Sequence, residues 1–495
     1  MASLFIDGEW KTSGDGTTRE IHCPANGEHV VTVAEATPED AHAAIKAARA
    51  AFDSGPWRDT STAHRADILR QLADKLHTHR DDVARLEALD TGKRFVEAQG
   101  DVDDVVSVFR YYADLAGKEA GRVVDAGPGV VSTIVYEPVG VCTLITPWNF
   151  PLLQTSWKVA PAIAAGCTFV LKPAELTPSS AIWLIEALHD LGLPAGVANL
   201  ILGAGARVGD TLTSSPEVDL VSFTGGVETG RRVMAQAAQT VKKVALELGG
   251  KNPNIIFADA DLDTALDMAT TAIFLDSGQV CSAGARLIIE ESIHDEFVEK
   301  LVEATKKIKV GTPFDDDAHT GALISADHVA KVEAYVATAL EEGAQLLVGG
   351  QRPTGGEYDE GFFYLPTILG GCHTSMTCVQ EESFGPVLTI ETFSGQTPQE
   401  AEDEAVRIAN DTIYGLAGAV WTENAGRAAR MASRLQHGTI WINDYHPYVP
   451  QAEWGGFKQS GFGRELGPTG LTEYQEAKHV WHNLNPEPQG WFPTN

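Results

Sequence analysis

The chain has 495 residues, 43% of them hydrophobic and 21% charged, which is typical of a soluble globular protein of about two or three domains. Its net charge of −31 argues against a nucleic-acid partner, because binding phosphates requires basic patches. An excess of surface carboxylates would also keep a protein soluble at high salt, a hypothesis that activity measured against KCl concentration would test.

The N-terminal part of the chain is predicted to be mainly helical. Ala, Leu and Arg recur at helical spacing over 38–52 and 62–89, and 101–117 has the pattern of another helix. Residues 130–137 are β-branched and alternating, which predicts a strand.

From residue 139 the pattern changes to short apolar runs that alternate with helices. The runs are 139–146, 168–171, 200–202, 220–223 and 243–246, and the helices between them include 152–165 and 178–191. Buried runs alternating with helices predict an α/β fold with a doubly wound parallel sheet. A second α/β pattern extends from about residue 260 to 441, and the chain from residue 471 has the composition of a terminal extension.

Three segments contain candidate catalytic residues. Cys281 lies between small residues after a Gly-Gln pair, as an exposed nucleophile on a loop would, although most free cysteines are buried and inert. Glu247 precedes Leu-Gly-Gly, so its carboxylate beside a flexible glycine pair is a candidate general base. Asn149 ends a strand and precedes a helix, where its amide can either stabilise an oxyanion or cap the helix.

Two glycine-rich segments follow strands and open helices. The first, Gly203 to Gly209, is one residue longer than the usual dinucleotide fingerprint, and the second runs from Phe223 to Gly230. Each could hold a pyrophosphate at a helix N-terminus or be an ordinary strand-to-helix turn. Glu175, three residues after Lys172, can accept both ribose hydroxyls of adenosine and would repel a 2′-phosphate, which favours NAD over NADP.

Taken in order, these segments resemble the aldehyde dehydrogenase superfamily over nearly the whole chain. The resemblance implies that Cys281 is the nucleophile, Glu247 the general base and Asn149 the oxyanion donor. It also implies a proton relay through Lys158 and Glu465. The implied architecture is a Rossmann-like cofactor domain (1–118 and 139–249), an α/β catalytic domain (250–450) and a β-hairpin oligomerisation element (119–138 and 468–488).

The cofactor that the resemblance implies is NAD. Lys172 and Glu175 match the family's adenosine-ribose contacts, and Glu382 and Phe384 match its nicotinamide-side contacts. The other implied cofactor contacts are Thr146, Pro147, Trp148, Gly205, Gly209, Phe223, Thr224, Gly225, Gly226 and Leu248.

The implied reaction passes through a covalent thioester. A thiolate attacks the aldehyde carbon, so a lowered pKa of Cys281 would make the nucleophile available. The Asn149 amide and the Cys281 backbone N–H stabilise the oxyanion, hydride passes to NAD, and Glu247 activates the hydrolytic water. The presence of all three side chains counts against a non-catalytic member of the fold, and Glu247 counts against a CoA-acylating relative.

Within the superfamily, residues 145–158 and 441–448 are similar to glycine-betaine aldehyde dehydrogenases, especially microbial ones. A trimethylammonium group cannot donate hydrogen bonds, and aromatic faces bind it by cation–π attraction. Two positions depart from the subfamily pattern, Leu275 where plant members have a further Trp and Glu453 where Pro is usual. The aromatic box implied by the match consists of Phe150, Trp157 and Trp454, with Tyr445 and Tyr448 as additions.

A second cationic substrate stays open. Asp101 and Asp104 share a helix face and match an acidic pair at the tunnel mouth of plant aminoaldehyde dehydrogenases. This match supports betaine aldehyde, which we favour, and equally an ω-aminoaldehyde such as 4-aminobutanal. Thr439 occupies a position at which small residues in plant relatives admit betaine aldehyde.

The remaining expectations concern location and assembly. The N-terminus does not resemble a signal peptide, no apolar run is long enough to span a bilayer, and the six cysteines lack zinc-ligand spacing. We therefore expect a reduced, cytoplasmic homodimer or homotetramer with no metal and no membrane or nucleic-acid partner. Oxidation of betaine aldehyde would yield the osmoprotectant glycine betaine, in agreement with the acidic composition.

Overall fold

The computed structural model describes residues 2–118 and 121–492. Glu119 and Ala120, the first residues of the predicted oligomerisation element, lie outside the described residues, as do Met1 and residues 493–495. The helices are α1 Pro38–Ser54, α2 Thr62–Thr78, α3 Arg80–Thr91, α4 Phe95–Leu115, α5 Pro151–Ala165, α6 Ser179–Asp190, α7 Gly205–Ser214, α8 Val227–Ala237, α9 Leu262–Phe274, α10 His294–Thr305, α11 Ala326–Glu341, α12 Thr377–Gln380, α13 Pro398–Asn410, α14 Ala425–Arg434 and α15 Gly467–Thr472. The strands are β1 Leu4–Ile6, β2 Glu9–Lys11, β3 Thr18–His22, β4 His29–Ala34, β5 Arg122–Val124, β6 Val130–Pro138, β7 Val141–Ile145, β8 Thr168–Lys172, β9 Ala198–Leu200, β10 Leu220–Gly225, β11 Lys243–Leu248, β12 Pro253–Ile256, β13 Arg286–Glu290, β14 Gln345–Val348, β15 Thr367–Gly370, β16 Val387–Phe393, β17 Ala417–Trp421, β18 Thr439–Ile442, β19 Gly461–Phe462 and β20 Gln475–Asn483.

Two large sheets confirm the predicted α/β fold with parallel strands. The first has the order β19-β11-β10-β7-β8-β9-β1-β2, and its five central strands, β11 to β9, are parallel. The second has the order β14-β15-β16-β13-β12-β17-β18 and is parallel except at β14. Strands β8 and β10 are buried along almost their whole length, as expected when helices cover both faces of a sheet.

The predicted single helix over 62–89 is wrong, because the chain forms two helices there. His79 separates α2 from α3 with non-helical backbone angles (φ −103°, ψ 24°). Asp81 and Asp82 stand in the first turn of α3, where the positive end of the helix dipole favours carboxylates. Helix α2 buries Ala, Ile and Leu and α3 buries Val and Ala, all at helical spacing, so periodicity alone does not detect the break. The strand expected at 200–202 also lies two residues earlier, at β9.

A third sheet has the order β20-β6-β5. Strands β20 and β6 pair antiparallel over nine residues, from Gln475↔Pro138 to Asn483↔Val130. The stretch from residue 471, which by composition alone looks like a terminal extension, thus supplies a long strand. This sheet leaves Val131, Val480 and Trp481 exposed, and its role in oligomerisation stays a prediction.

Helix α5 contributes several residues of the predicted site, and all of its residues are buried. Pro151 stands at its first turn, where the missing N–H costs no helical hydrogen bond, and Phe150 is the N-cap residue. The helix carries Trp157 and Lys158 into the interior. Within the described residues, no helix is long and apolar enough to cross a membrane.

Candidate active site

A cavity of about 570 Å³ opens at the carboxyl ends of β7, β8, β10 and β11. Ligands of doubly wound sheets bind at this edge. Cys281, Glu247, Asn149 and Trp454 line the cavity. The predicted cofactor contacts that line it are Thr146, Pro147, Trp148, Lys172, Glu175, Gly205, Gly209, Phe223, Thr224, Gly225, Gly226, Leu248, Glu382 and Phe384.

Two helix N-termini face this cavity, those of α7 at Gly205 and α8 at Val227. In the part of the chain that the structure describes, no side chain caps either terminus, so their backbone N–H groups are available to an anion. A Cβ added at Gly205, Gly209 or Gly226 would meet no described atom within 4 Å. The glycines therefore leave open space in front of the N–H groups, which fits a dinucleotide pyrophosphate.

Lys172 and Glu175 form the adenosine-side wall. Their Nζ and Oε2 atoms are 3.7 Å apart, and Lys172 also donates to the Pro173 carbonyl at 3.0 Å. Burial lowers the pKa of Lys172, while Glu175 acts in the opposite direction. The partly exposed Glu175 carboxylate can accept hydrogen bonds from ribose hydroxyls.

The opposite end of the cavity contains Glu382 and Phe384. Glu382 accepts a hydrogen bond from Gly250 N at 3.0 Å, and burial raises its pKa to about 7. Phe384 has φ +55°, a strained backbone conformation for a non-glycine residue, and its carbonyl accepts from His328 Nε2 at 2.6 Å. The Trp148 ring packs against both Phe384 (5.2 Å) and His328 (5.4 Å).

His328 and Lys331 also line the cavity, and sequence reasoning missed them. Both lie on α11, far along the chain from the glycine-rich segments. The helix has ordinary amphipathic spacing, so no local signal marks either residue. Burial lowers the pKa of His328 to about 4, so its ring is neutral at physiological pH.

Cys281 lies on the loop between α9 and β13 and is half-buried rather than freely exposed. Its surroundings do not lower its pKa: burial raises the pKa of the thiol to about 12, and the nearby Glu247 and Glu382 carboxylates add to the effect. The backbone N–H groups of Ser282 and Cys281 act in the opposite direction.

Gly249 and Gly250, the glycine pair after Glu247, allow the backbone to pack closely against neighbouring groups. A Cβ at Gly250 would lie 2.6 Å from the carbonyl oxygen of Cys281, and one at Gly249 would overlap the Glu382 carboxylate. Asn252 Nδ2 donates to the same Cys281 carbonyl at 2.9 Å. The segment after β11 therefore holds the backbone of the nucleophile at a distance that only glycine permits.

The amide of Asn149 is buried and donates from Nδ2 to the Gln279 carbonyl at 2.7 Å. The alternative that Asn149 caps α5 is wrong, because Phe150 is the N-cap residue and the Asn149 amide donates to another loop. An amide NH₂ has two hydrogens, so one remains for a second acceptor. Gln279 stands two residues before Cys281, which ties the amide to the nucleophile loop.

Glu247 is at the end of β11 and is 4% exposed. Its Oε2 atom has no hydrogen-bond partner among the described residues. Burial raises its pKa well above the ordinary value, Glu465 raises it further, and Lys158 and Arg464 lower it. The surroundings therefore favour the protonated form of this carboxyl.

Lys158 and Glu465 form a buried ion pair beside Glu247. Ser222 bridges them, since its hydroxyl accepts from Lys158 Nζ at 3.1 Å and donates to Glu465 Oε1 at 3.3 Å. Helix α5, strand β10 and the loop before α15 bring these groups together. Their role as a proton relay stays a prediction.

The predicted aromatic residues divide into two groups. Trp157, Tyr448 and Trp454 pack edge to face, with ring centroids 5.5–6.4 Å apart, and Trp454 reaches the cavity wall. Tyr445 is buried and donates from its hydroxyl to the Ser282 carbonyl at 2.9 Å, so it supports the nucleophile loop. Phe150 lies outside the cavity lining, with Lys93 Nζ 3.9 Å from its ring centroid.

The other predicted substrate residues also separate. Asp104 accepts a hydrogen bond from the Tyr448 hydroxyl at 2.6 Å and so adjoins the aromatic group. Asp101 is 8% exposed and pairs with Lys93 at 2.7 Å, so its carboxylate does not face the cavity. Thr439 begins β18 beside Ala417, outside the cavity lining.

Comparisons with known proteins show which chains this one is similar to. The model of the aldehyde dehydrogenase family matches residues 10–480. Betaine aldehyde dehydrogenase from Bacillus subtilis (strain 168) is 53% identical, with 99% of each chain covered, and aminoaldehyde dehydrogenase 2 from Zea mays is 45% identical, covering 99% of this chain and 97% of that one. The crystal structure of betaine aldehyde dehydrogenase from Staphylococcus aureus in complex with NAD⁺ superposes with a TM-score of 0.97 at 51% identity, over 100% of this chain and 97% of that chain.

Proposed function

This chain belongs to the aldehyde dehydrogenase family, and we propose that it oxidises betaine aldehyde to glycine betaine with NAD as the electron acceptor. One observation carries the proposal. Cys281, Glu247 and Asn149 meet at a single cavity whose wall includes Trp454, backed by Trp157 and Tyr448.

The cofactor end of the cavity fits NAD. The free N–H groups of α7 and α8 would hold the pyrophosphate, and Glu175 with Lys172 would hold the adenosine ribose. The Glu175 carboxylate would repel the 2′-phosphate of NADP. When bound, NAD supplies the hydride acceptor, and its positively charged nicotinamide favours the ionised forms of nearby acids.

The first step is attack on the aldehyde carbon by the thiolate of Cys281, which forms when the thiol gives its proton to water beside the bound cofactor. The new C–S bond forms as the carbonyl pair moves onto oxygen, which becomes an oxyanion. The second hydrogen of the Asn149 amide and the backbone N–H of Cys281 would donate to this oxygen. Because Asn149 is already held by Gln279, its amide needs little reorganisation as the charge develops.

The last step is hydrolysis of the Cys281 thioester. Glu247, once ionised, takes a proton from water as the oxygen attacks the acyl carbon, and the C–S bond then breaks to release the acid and the thiolate. The Lys158–Glu465 pair next to Glu247 would pass the proton onward through buried polar groups. Burial raises the proton affinity of Glu247, which suits this carboxylate to deprotonating water, since an ordinary carboxylate is a weak base.

Recognition of the substrate cation would depend on the aromatic group. A trimethylammonium on the cavity side of Trp454 gains about 0.5–2 kcal/mol from each ring face it meets. Trp157 and Tyr448 stand edge-on behind Trp454 and keep its ring in place. The Asp104 carboxylate, bound to Tyr448, adds long-range attraction for a cation.

An ω-aminoaldehyde is the second candidate, and Asp104 is the observation that favours it. A primary ammonium donates hydrogen bonds and therefore gains from a carboxylate more than trimethylammonium does. Asp104 already accepts a hydrogen bond from Tyr448, which leaves fewer acceptor sites for a substrate. The similarity to the maize aminoaldehyde dehydrogenase keeps this reading open.

The substrate test compares three aldehydes under one set of conditions. Betaine aldehyde and 3,3-dimethylbutanal have the same shape and differ in charge, and 4-aminobutanal has a primary ammonium. We expect kcat/KM to be highest for betaine aldehyde and at least about tenfold lower for the neutral isostere, because the cation–π and carboxylate terms act only on the cation. Equal kcat/KM for the first two would refute recognition by aromatic rings, and a higher value for 4-aminobutanal would select the second candidate.

We further propose a cytoplasmic homo-oligomer whose product serves as an osmoprotectant. The exposed Val131, Val480 and Trp481 on the β20-β6-β5 sheet are the surface that supports self-association. Light scattering of the purified protein would distinguish a dimer from a tetramer. A monomer at micromolar concentration would contradict the proposal.

A further inference from the structure

Lys93 has a fully buried ammonium that no step described above uses. It stands between α3 and α4, and its side chain is 0% exposed. Its Nζ atom lies 2.7 Å from Asp101 Oδ2, 3.8 Å from Asp276 Oδ2 and 3.9 Å from the centroid of the Phe150 ring. Burying a cation is costly unless it is paired, so this arrangement needs an explanation.

One of the three contacts leads to the nucleophile loop. Asp276 and the following Ser277 both have left-handed backbone conformations, with φ +47° and +53°. Such residues persist only where their surroundings hold them. Asp276 N donates to Glu97 Oε1 at 3.2 Å, but Asp276 Oδ2 lacks a hydrogen-bond partner in residues 2–118 and 121–492. Burial raises the pKa of this carboxyl, and the Lys93 ammonium at 3.8 Å acts in the opposite direction.

The strained turn at Asp276 also orients the oxyanion donor, the Asn149 amide. The carbonyl of Asp276 accepts from both the backbone N (3.0 Å) and the Nε2 (3.2 Å) of Gln279. The Gln279 carbonyl accepts from Asn149 Nδ2 at 2.7 Å. Phe150, whose ring lies against Lys93, is the residue next to Asn149. Lys93 therefore contacts Asp276 on one side and Phe150 on the other. Gln279 and Asn149 connect those two residues, so the contacts form a closed ring.

We propose that Lys93 is a positioning residue for the reaction and acts through Asn149. Its charge holds the Asp276 turn on one side and the Phe150 ring on the other. The Asn149 amide and the loop of Cys281 are thereby kept at their mutual distance. A neutral side chain of the same length would fill the space without attracting either the carboxyl or the ring face.

A double-mutant cycle with Asn149 tests this role in the full chain with NAD. We expect Lys93→Met to lower kcat by at least about tenfold while KM for NAD changes less than about twofold. In an Asn149→Ala background the same substitution should lower kcat less than about twofold, because the group it positions is gone. A merely structural role would produce the same fold loss in both backgrounds, and that result would overturn the proposal.

Two further variants keep the test decisive. Asp276→Asn removes the other partner without changing its size, and we expect the same difference between the two Asn149 backgrounds even if Lys93→Met does not fold. A wild-type kcat in Asp276→Asn would overturn the proposal. Glu402→Gln is the control, since it breaks the ion pair of the buried Glu402 carboxylate with the half-exposed Arg430 (2.7 Å) outside the cavity, and it should lower Tm without changing kcat. The positioning role of Lys93 rests on the proposed function only through Asn149. Any aldehyde that the enzyme oxidises can therefore be used in the assay, and the result does not depend on which aldehyde is the natural substrate.

Discussion

Replacing Asn149 by Ala removes one donor to the developing oxyanion, and the structure indicates how large the effect should be. The amide is 5% exposed and held by Gln279 at 2.7 Å, so the lost donor is preorganised and shielded from water. Losing one such donor typically costs about 2.7–4 kcal/mol of transition-state stabilisation, or about 10²–10³ in kcat. The backbone N–H of Cys281 remains, so we expect slow turnover rather than none.

Steady-state NADH formation would measure this loss with betaine aldehyde as substrate. KM should change little, because the interaction strengthens only as charge develops on the oxygen. Alkylation of Cys281 by iodoacetamide would verify that the nucleophile is intact and accessible. Asn149→Asp is the matched control: it preserves size but replaces the donor by a carboxylate, so its kcat should be no higher than that of the Ala variant.

An oxyanion role for Asn149 fails if Asn149→Ala retains more than about a tenth of the wild-type kcat. It also fails if KM rises in proportion while kcat is unchanged, because the amide would then bind the ground state and the transition state equally. Either result would assign the oxyanion to the Cys281 backbone and to groups other than Asn149.

Three further predictions concern the base, the cofactor and the packing of the loop. The raised pKa of Glu247 favours its protonated form, so kcat should rise with pH as this carboxyl ionises; a flat wild-type profile, or one unchanged in Glu247→Gln, would contradict this. Glu175→Gln should raise the ratio of kcat/KM for NADP to that for NAD about tenfold, about 1.4 kcal/mol, and an unaltered ratio would argue against a ribose contact. Gly250→Ala places a Cβ 2.6 Å from the Cys281 carbonyl and should cost about 1–3 kcal/mol of stability, so a wild-type Tm in thermal unfolding would show that the loop can yield.

Local patterns predicted the fold where each element carries its own signal. The apolar runs that became β8 and β10 are buried on both faces, so they read as continuous hydrophobic segments. The same approach joined α2 and α3, because the two helices share one periodicity and differ only in the backbone at His79. It also missed strand β20, whose residues are mostly exposed and therefore carry little hydrophobic signal.

The candidate site shows a similar division. The motifs around Cys281, Glu247 and Asn149 indicated residues that the fold brings to one cavity. The acidic pair was harder to interpret, because helix spacing places Asp101 and Asp104 on one face but says nothing of Lys93, which pairs with Asp101, whereas Asp104 accepts from Tyr448. Likewise, nothing near His328 in the sequence indicates that its ring will contact Trp148.

By itself, the sequence determined the chemistry that is available: a thiol, a carboxyl and an amide at ordered positions, and strands that can only be buried in a parallel sheet. The tertiary structure decided how those groups behave. Cys281 and Glu247 both have raised pKa values. The Phe150 ring packs against the Lys93 ammonium and does not line the cavity. These properties depend on burial and on neighbours from distant parts of the chain, since desolvation and Coulomb interactions act through space and leave no trace in local spacing.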